Sequence, residues 1–235
     1  MSRSHKTNNS ITVALILTIV GGFLDAYTYM LRGGTFANAQ TGNIVMTGVN
    51  IALGHPREAM GHFLAIAAFI VGILCAVFIS KCFKSVRLIT WQSFILIVET
   101  VVLIAVGFVP DIPEYDNYVV IIISFITSMQ YAAFKRTRDV TYATTMCTGM
   151  LRSATELLYK IIERKHDEQE RANCLVLYII IFTFCVGCAI GALCCKFIGI
   201  KAIWICATVM LIISVVLVYE EQKNIFIKKD TFSIN

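Results

Sequence analysis

The chain of 235 residues contains 57% hydrophobic and only 15% charged residues, and its mean hydropathy is +0.75. A water-soluble domain of this length does not need so many apolar residues for its core, so the composition excludes that class and predicts an integral membrane protein. The net charge of +5 indicates topology, because positive residues collect on the cytoplasmic side of a membrane, and no nucleic-acid partner is needed to explain it.

Six stretches are apolar and long enough to cross a bilayer core, which takes roughly 20 helical residues. They lie at about 11–31, 62–80, 89–109, 117–134, 173–195 and 200–219. The first is predicted to be an uncleaved span rather than a signal peptide, because its apolar run continues past Gly21 and Gly22 without a small-residue cleavage site. Too little chain remains between the spans for a soluble domain, so residues 1–235 are predicted to form one all-α membrane domain with short tails.

The Lys and Arg residues set the predicted orientation. With the N-terminus inside, only Arg32, Arg57, Lys196 and Lys201 of the 20 Lys and Arg residues fall outside. The third loop, PDIPEYDNY, is acidic and carries no base. These features predict a multi-pass protein of the cytoplasmic membrane, surrounded by lipid, with both termini in the cytoplasm.

Two segments, TFANAQTGNIV and TYATTMCTGML, are too short and too polar at their starts to be full spans. We expect each to form a half-inserted or re-entrant helix, which is tolerated only where protein or a water-filled cavity satisfies the polar groups. Each follows the first span of a three-span half, at about 11–109 and 117–219. Since three is odd, the second half must cross the membrane in the opposite sense, which predicts an inverted repeat.

The span after each of these segments carries a small residue at every fourth position, a stripe that lets helices approach closely in a membrane. The stripes are Ala68, Gly72, Ala76 and Ser80 in the first half and Thr183, Gly187, Gly191 and Cys195 in the second. Their matching places favour the repeat over two chance packing stripes. Such stripes serve contacts within one chain or between two copies of it, so a homo-oligomer is one of two alternatives that the sequence allows.

A helix that begins inside the membrane offers unpaired backbone N–H groups and a partial positive charge, which can hold an anion or a polar ligand. We therefore predict a binding site between the starts of the two helices, the first ending near Leu53 and the second starting with Thr141 and Thr144. The residues proposed for this site are Asn38, Gln40, Thr41, Gly42, Asn43 and Thr47 from the first segment and Thr145, Thr148, Gly149 and Arg152 from the second. The alternative is that these residues only cap the helices and hold neighbours together.

The first of these helices has a polar stripe that must face protein or water, opposite apolar residues such as Ile44 and Ile51. The stripe consists of Gln40, Asn43, Thr47 and Asn50.

Two acidic residues inside predicted spans are candidates for coupling or gating, because a charged side chain there is costly and usually pairs or marks an ion path. Asp25 lies in the outer half of the first span, with Arg32 on the same face as an alternative structural partner. Glu99 lies near the middle of the third span, where burial favours the protonated carboxyl that proton-coupled transport requires. The matching place in the second half, near Cys206, has no acid. A proton-coupling acid would therefore be present in the first half of the repeat only.

No enzyme motif is present: there is no HExxH, no GxSxG and no phosphate-binding glycine loop. Cys185 and Cys188 form a CxxC, but they lie in an apolar span with no carboxylate expected nearby, so we interpret them as packing residues. The sequence therefore predicts neither an enzyme nor a metal or other cofactor.

The segment from Gly21 to Gly54 resembles the signature of the YoaK-type family of bacterial membrane proteins of unknown function. The resemblance rests on a Gly-Gly-x-x-Asp-Ala pattern followed by an element that ends in Thr-Gly-Asn. The matching residues are Gly21, Gly22, Asp25, Ala26, Phe36, Ala37 or Asn38, Thr41, Gly42 and Asn43. The resemblance implies a six-helix protein of the bacterial inner membrane.

Together these patterns suggest a secondary transporter of a small polar or anionic solute, with a midplane site between the two half-helices and Asp25 and Glu99 as coupling or gating acids. Alternating access would come from one half rocking against the other. The alternatives are a structural or regulatory membrane protein, in which the polar stripes serve helix packing, and a channel.

Overall fold

The computed structural model describes residues 2–83, 89–134, 136–137, 140–141, 147–163 and 168–233. Its helices are α1 (Ser2–Leu31), α2 (Gln40–Ala52), α3 (Pro56–Cys82), α4 (Trp91–Val106), α5 (Pro113–Ala133), α6 (Cys147–Glu163), α7 (Glu168–Ile198) and α8 (Ile203–Ser233). A 3-10 turn, Gly199–Ala202, joins α7 to α8. Two antiparallel two-residue strands, β1 (Arg136–Thr137) and β2 (Val140–Thr141), lie between α5 and α6.

The start predicted for the second half-helix is wrong. Thr141 lies in β2, where it pairs with Arg136, and the described part of α6 begins at Cys147. Thr144 and Thr145 fall outside the described residues. Two neighbouring β-branched residues, Val140 and Thr141, favour extended backbone, which is the local reason for a strand at this place.

Several helix ends follow directly from the local sequence. Pro56 and Pro113 stand in the first turns of α3 and α5, where a proline removes no helical hydrogen bond. Gly33 and Gly54 have positive φ angles of 73° and 75°, which glycine adopts without a Cβ clash, and they allow the turns after α1 and α2.

Within the described residues, the helices pack in three main pairs, α1–α7, α3–α5 and α4–α8. The first two pairs are parallel, since residues later in one helix meet residues later in the other. In the α1–α7 pair, Gly22 faces the Phe184 carbonyl while Gly191 faces the Phe23 backbone, so closely that a Cβ at either glycine would collide. In the α3–α5 pair, Gly72 meets the Phe125 carbonyl in the same way. The predicted stripes of small residues therefore serve close contacts within one chain, as helices in lipid require.

The third pair, α4 and α8, is antiparallel and is bonded near both ends. At one end the Trp204 indole N–H donates to the Ile104 carbonyl at 3.2 Å. At the other end Glu221 accepts from the hydroxyl groups of Thr90 and Ser93 at 2.6 and 2.7 Å, which ties α8 to the N-terminus of α4. These contacts hold α4 and α8 together as one unit.

The two short helices α2 and α6 pack on α3 and α7 respectively. After α1 ends, the chain turns back along it, and the Asn38 side chain donates to the Gly21 carbonyl at 3.2 Å. Because each helical residue rises about 1.5 Å, Gly21 lies about 15 Å before the end of α1. The helix α2 therefore begins deep in the bundle and returns along α3.

Among the residues that the structure describes, three segments are long and apolar enough to cross a membrane: Ile11–Leu31, Pro56–Cys82 and Glu168–Lys223, the last of which contains α7 and much of α8. Trp91–Val106 is a shorter apolar helix. Large apolar side chains such as Leu74 and Phe182 are exposed on these helices, as expected where lipid is the solvent. The predicted class, a helical membrane protein, fits the structure.

Candidate functional site

Asp25 lies where the returning chain meets α1. Its Oδ1 accepts a 2.6 Å hydrogen bond from the backbone N–H of Asn38, and the backbone N–H groups of Ala37 and Ala39 also interact with the carboxyl. Its Oδ2 is buried and has no hydrogen-bond partner among the described residues. The Asp25 carboxyl thus binds the amides just before α2, the place where the sequence predicts an anionic ligand.

Further hydrogen bonds fix this unwound segment on α1. The backbone N–H of Ala37 donates to the Thr28 hydroxyl at 3.1 Å, and that hydroxyl donates to the Asp25 carbonyl at 3.3 Å. Thr28 is not among the predicted site residues, although its spacing of three residues from Asp25 places it on the same face of the helix.

Asn43 is fully buried and clamps the same segment from the side of α2. Its Oδ1 accepts from the Phe36 backbone N–H at 3.0 Å and lies 3.3 Å from His62 Nδ1. Its Nδ2 donates to the Phe36 carbonyl at 2.7 Å and to Gln40 Oε1 at 3.0 Å. An asparagine side chain has two donor hydrogens and two acceptor lone pairs, so with a hydrogen on His62 Nδ1 these contacts use its full capacity. Asn43 therefore holds the fold in this state and has no atom left for a solute.

The predicted polar stripe of α2 faces inward, so this prediction is confirmed. Asn43 and Asn50 are buried and Gln40 and Thr47 are half-buried, whereas the opposite apolar face, including Ile44, is exposed. The Gln40 amide donates to the Ala37 carbonyl at 2.8 Å, and the Thr47 hydroxyl donates to the Asn43 carbonyl at 2.8 Å. Polar groups thus meet protein and apolar groups meet the surroundings, as a helix inserted in lipid requires.

The remaining residues proposed on this segment have different environments. Thr41 is exposed. Gly42 packs beside the Phe36 ring, which a Cβ at Gly42 would meet at 2.9 Å. A larger residue at position 42 would therefore require the Phe36 ring to move.

Glu99 is fully buried in α4, and neither of its carboxylate oxygens has a hydrogen-bond partner among the described residues. Cys206 of α8 is close enough to interact electrostatically with it. The neighbouring Thr100 hydroxyl lies 3.5 Å from the Ser214 hydroxyl. The hydroxyl of Ser124, on α5, is likewise buried and has no partner within the described ranges.

Arg32 is not the partner of Asp25, so that structural alternative is wrong. The guanidinium of Arg32 is fully buried and lies 3.4 Å from the Asp116 carboxylate. It also donates to the carbonyls of Val109 and Pro110, each at 3.0 Å. Arg32 therefore ties the end of α1 to the loop between α4 and α5, which places these two parts of the chain at the same end of the bundle, as the topology predicts.

The residues proposed on the second segment are not gathered around Asp25. Thr148, Gly149 and Arg152 are exposed on α6, and Arg152 pairs with Glu156 at 2.8 Å. Thr145 lies outside the described residues.

The expectation that no carboxylate lies near the CxxC is also wrong. Gly22, three residues before Asp25 on α1, packs against Cys188, whose Sγ would lie 3.2 Å from a Cβ at Gly22, so the close contact of α1 with α7 brings Asp25 near the CxxC. Within the described part of the chain, no group of three His, Cys, Asp or Glu side chains is arranged to hold a metal ion.

Comparison with known proteins gives a family but no activity. The family model described as protein of unknown function, DUF1275, matches residues 13–216. The chain is similar to the UPF0700 transmembrane protein YoaK of Bacillus subtilis (strain 168), with 24% identity over 190 residues, which cover 77% of this chain and 82% of that protein. No solved structure matches the chain.

Proposed function

The chain belongs to the DUF1275 family, a family of unknown function, and from its own buried polar groups we propose that it is a proton-coupled secondary transporter of a small polar solute. The observation that carries the proposal is the Asp25 carboxyl, which lies beside an unwound segment and has one buried oxygen without a partner among the described residues. Unwound backbone and an intramembrane acid mark the substrate sites of many carriers.

The proposed architecture is six spans in two inverted halves, in which α1 to α4 correspond to α5 to α8 in the same order. Under this correspondence the parallel α1–α7 pair matches the parallel α5–α3 pair, and the contact of α2 with α3 matches that of α6 with α7. The antiparallel α4–α8 pair consists of the last helix of each half, so the correspondence exchanges its two members. Glu99 and Cys206, which hold matching places, are both buried in this central pair.

This pairing changes the motion that alternating access would use. Each close pair joins one helix from each half, so the two halves are interleaved and do not rock as separate bodies. We propose instead that α1, α6 and α7 form one moving group and α2, α3 and α5 the other, around the bonded α4–α8 pair. The Asp25 contact with Asn38 lies where the chain passes from the first group to the second, so a solute bound there would meet both.

The solute class follows from the acid at the site. An anion would have to displace the Asp25 carboxyl from the amide of Asn38, whereas a neutral or cationic polar solute can bind the free oxygen of Asp25. The geometry therefore favours the polar solute over the anionic one. Glu99 would supply the coupling, because an unpaired carboxylate buried in a membrane span is costly and proton binding removes that cost.

A direct test is ligand-induced stabilisation of the purified full-length protein, screened by thermal shift against a panel of polar metabolites. We expect hits that Asp25→Asn weakens and that Asp111→Asn, a change of an exposed acid in the third loop, leaves unchanged. In proteoliposomes loaded with a pH-sensitive dye, a hit should drive proton movement that Glu99→Gln abolishes. Hits that are insensitive to Asp25→Asn, or transport without proton movement, would refute this site or this coupling respectively.

The saturated hydrogen bonding of Asn43 favours a second candidate, a structural or regulatory membrane protein. In that case Asp25 would serve only to fasten the unwound segment to α1. The panel would then yield no hits, while Asp25→Asn would still lower the unfolding temperature. A channel is distinguished by solute flux that does not saturate with concentration.

A further inference from the structure

Two apolar grooves lie side by side at the end of the bundle where α4 ends and α5 and α8 begin. The first groove, of about 320 Å³, runs between α4 and α8 and is lined by Ile104, Phe108, Trp204, Ala207, Thr208 and Leu211. The second, of about 460 Å³, runs between α4 and α5, and its lining includes Tyr115, Tyr118 and Ile122. Phe108 lines both grooves and is 72% exposed, so its side chain separates them.

Close contacts fix the wall of the first groove. The Trp204 indole packs so tightly on Gly107 that a Cβ there would collide with it, and the Phe108 and Trp204 rings lie 5.2 Å apart. From Trp204 to Leu211 the groove follows α8 for about 10 Å, which is within the roughly 15 Å that half a bilayer core measures. The groove therefore has the position and the apolar lining of a site for an acyl chain.

A charged side chain stands at the head of each groove, and the two charges have opposite signs. Lys201 lies three residues before Trp204 in the 3-10 turn, where residues at that spacing lie above one another. Glu114 lies four residues before Tyr118 on α5, and residues at that spacing are neighbours on a helix surface. Both charged residues are exposed, and neither has an ion-pair partner among the described residues. Trp204, Tyr115 and Tyr118 are the residue types that collect at the membrane interface, so these charges lie at the level of lipid headgroups.

We propose that a phosphatidylethanolamine molecule binds at this place, with one acyl chain in each groove on either side of Phe108. Its phosphate binds Lys201 and its primary ammonium binds Glu114, so each charge of the headgroup meets a side chain of opposite sign. An anionic headgroup would meet a like charge at Glu114, and a quaternary ammonium has no hydrogen to donate to the carboxylate.

The bound lipid joins the α4–α8 pair to α5 across the segment whose Val109 and Pro110 carbonyls accept from Arg32. The site requires only that the chain lies in a membrane, and it is independent of any transported solute.

The two tryptophans of the chain allow a direct test in the full-length protein. Trp204 lies in the first groove, whereas Trp91 lies at the other end of α4. Trp91→Phe leaves Trp204 as the reporter, and Trp204→Phe leaves Trp91 as the matched control. Each variant is reconstituted in phosphatidylcholine vesicles with increasing fractions of brominated phosphatidylethanolamine or brominated phosphatidylglycerol, and quenching measures lipid binding beside the remaining tryptophan. At Trp204, phosphatidylethanolamine should be preferred over phosphatidylcholine at least about fivefold, the effect of one charge contact with a headgroup. At Trp91 the two lipids should bind about equally.

Charge variants in the Trp91→Phe background test the headgroup contacts. Glu114→Gln should remove the preference for phosphatidylethanolamine, whereas Glu58→Gln, at an exposed acid in the first turn of α3, should keep it. Lys201→Gln should weaken phosphatidylglycerol relative to phosphatidylcholine roughly fivefold. Lys223→Gln, at an exposed lysine far along α8, should leave that ratio unchanged.

Equal lipid preferences at Trp204 and Trp91 would overturn the site, and so would a preference for phosphatidylglycerol over phosphatidylethanolamine at Trp204. Equal effects of Glu114→Gln and Glu58→Gln, or of Lys201→Gln and Lys223→Gln, would overturn the headgroup contacts. All four charge variants change exposed side chains, and unchanged unfolding temperatures would show that they are folded. A failure of Asp25→Asn to weaken solute binding would count against the transport site and leave the lipid preference at Trp204 intact.

Discussion

Removal of the Asn43 side chain should destabilise the protein more than removal of any other amide on α2. Asn43→Ala deletes contacts to Phe36, Gln40 and His62, which together use four hydrogen-bonding positions. Side-chain hydrogen bonds in helical membrane proteins average about 0.6 kcal/mol each, so the expected loss in free energy of unfolding is roughly 2 kcal/mol. The loss should come from release of the unwound segment, since the backbone groups of Phe36 lose their partners.

Asn50→Ala is the matched control on the same helix. Asn50 is also buried, but its side chain donates a 2.9 Å hydrogen bond to the Met46 carbonyl within its own helix. Its loss should cost about 0.6 kcal/mol. Thermal unfolding of the two purified variants in the same detergent measures the difference. If Asn43→Ala were no less stable than Asn50→Ala, the clamp would not hold the unwound segment in place.

Two further substitutions test the α3–α5 packing and the contact between Arg32 and Asp116. Gly72→Ala should lower the free energy of unfolding by about 1–3 kcal/mol, because the new Cβ meets the backbone of α5, whereas Gly48→Ala, with open space around it, should be neutral or stabilising. Equal effects of these two changes in urea or thermal unfolding would contradict the α3–α5 contact. Arg32→Met should cost about 3 kcal/mol because it leaves Asp116 without its ion-pair partner. The same change at the exposed Arg57 should stay within about 0.5 kcal/mol, and similar unfolding temperatures for the two would argue against the buried tie.

In the proposed mechanism the two acids have different roles: Asp25 binds the solute and Glu99 binds the coupling proton. Asp25 already binds backbone amides of the unwound segment, so its state depends on the position of that segment and on any solute that replaces the contact. Glu99 lies in the bonded α4–α8 unit and has no partner within the described part of the chain. Under the proposed function, a proton on Glu99 would affect the α4–α8 pair, whereas a solute at Asp25 would affect the contact between the two proposed moving groups.

Several features of the fold were predictable because they depend on short stretches of chain. The membrane class follows from hydropathy, and the inward polar face of α2 follows from helical spacing in Gln40, Asn43, Thr47 and Asn50. The loop that contains Asp116 was predicted on the same side as Arg32 from charge alone, and their 3.4 Å contact agrees. The small residues Gly72 and Gly187 were predicted to allow close packing, and both meet a neighbouring backbone.

The sequence by itself thus determined the membrane class, the approximate positions of most helices, the inward polar face of α2 and the residues that are candidates for chemistry. Only the tertiary structure decided the partners: Asp25 binds the Asn38 amide rather than Arg32, Asn43 is saturated by Phe36, Gln40 and His62, and Arg152 faces outward. The physical reason is the difference in distance along the chain over which these effects act. Hydropathy and helical periodicity act over one or two turns, whereas hydrogen bonds depend on which atoms meet, and Arg32 meets Val109 and Pro110, which no local pattern connects to it.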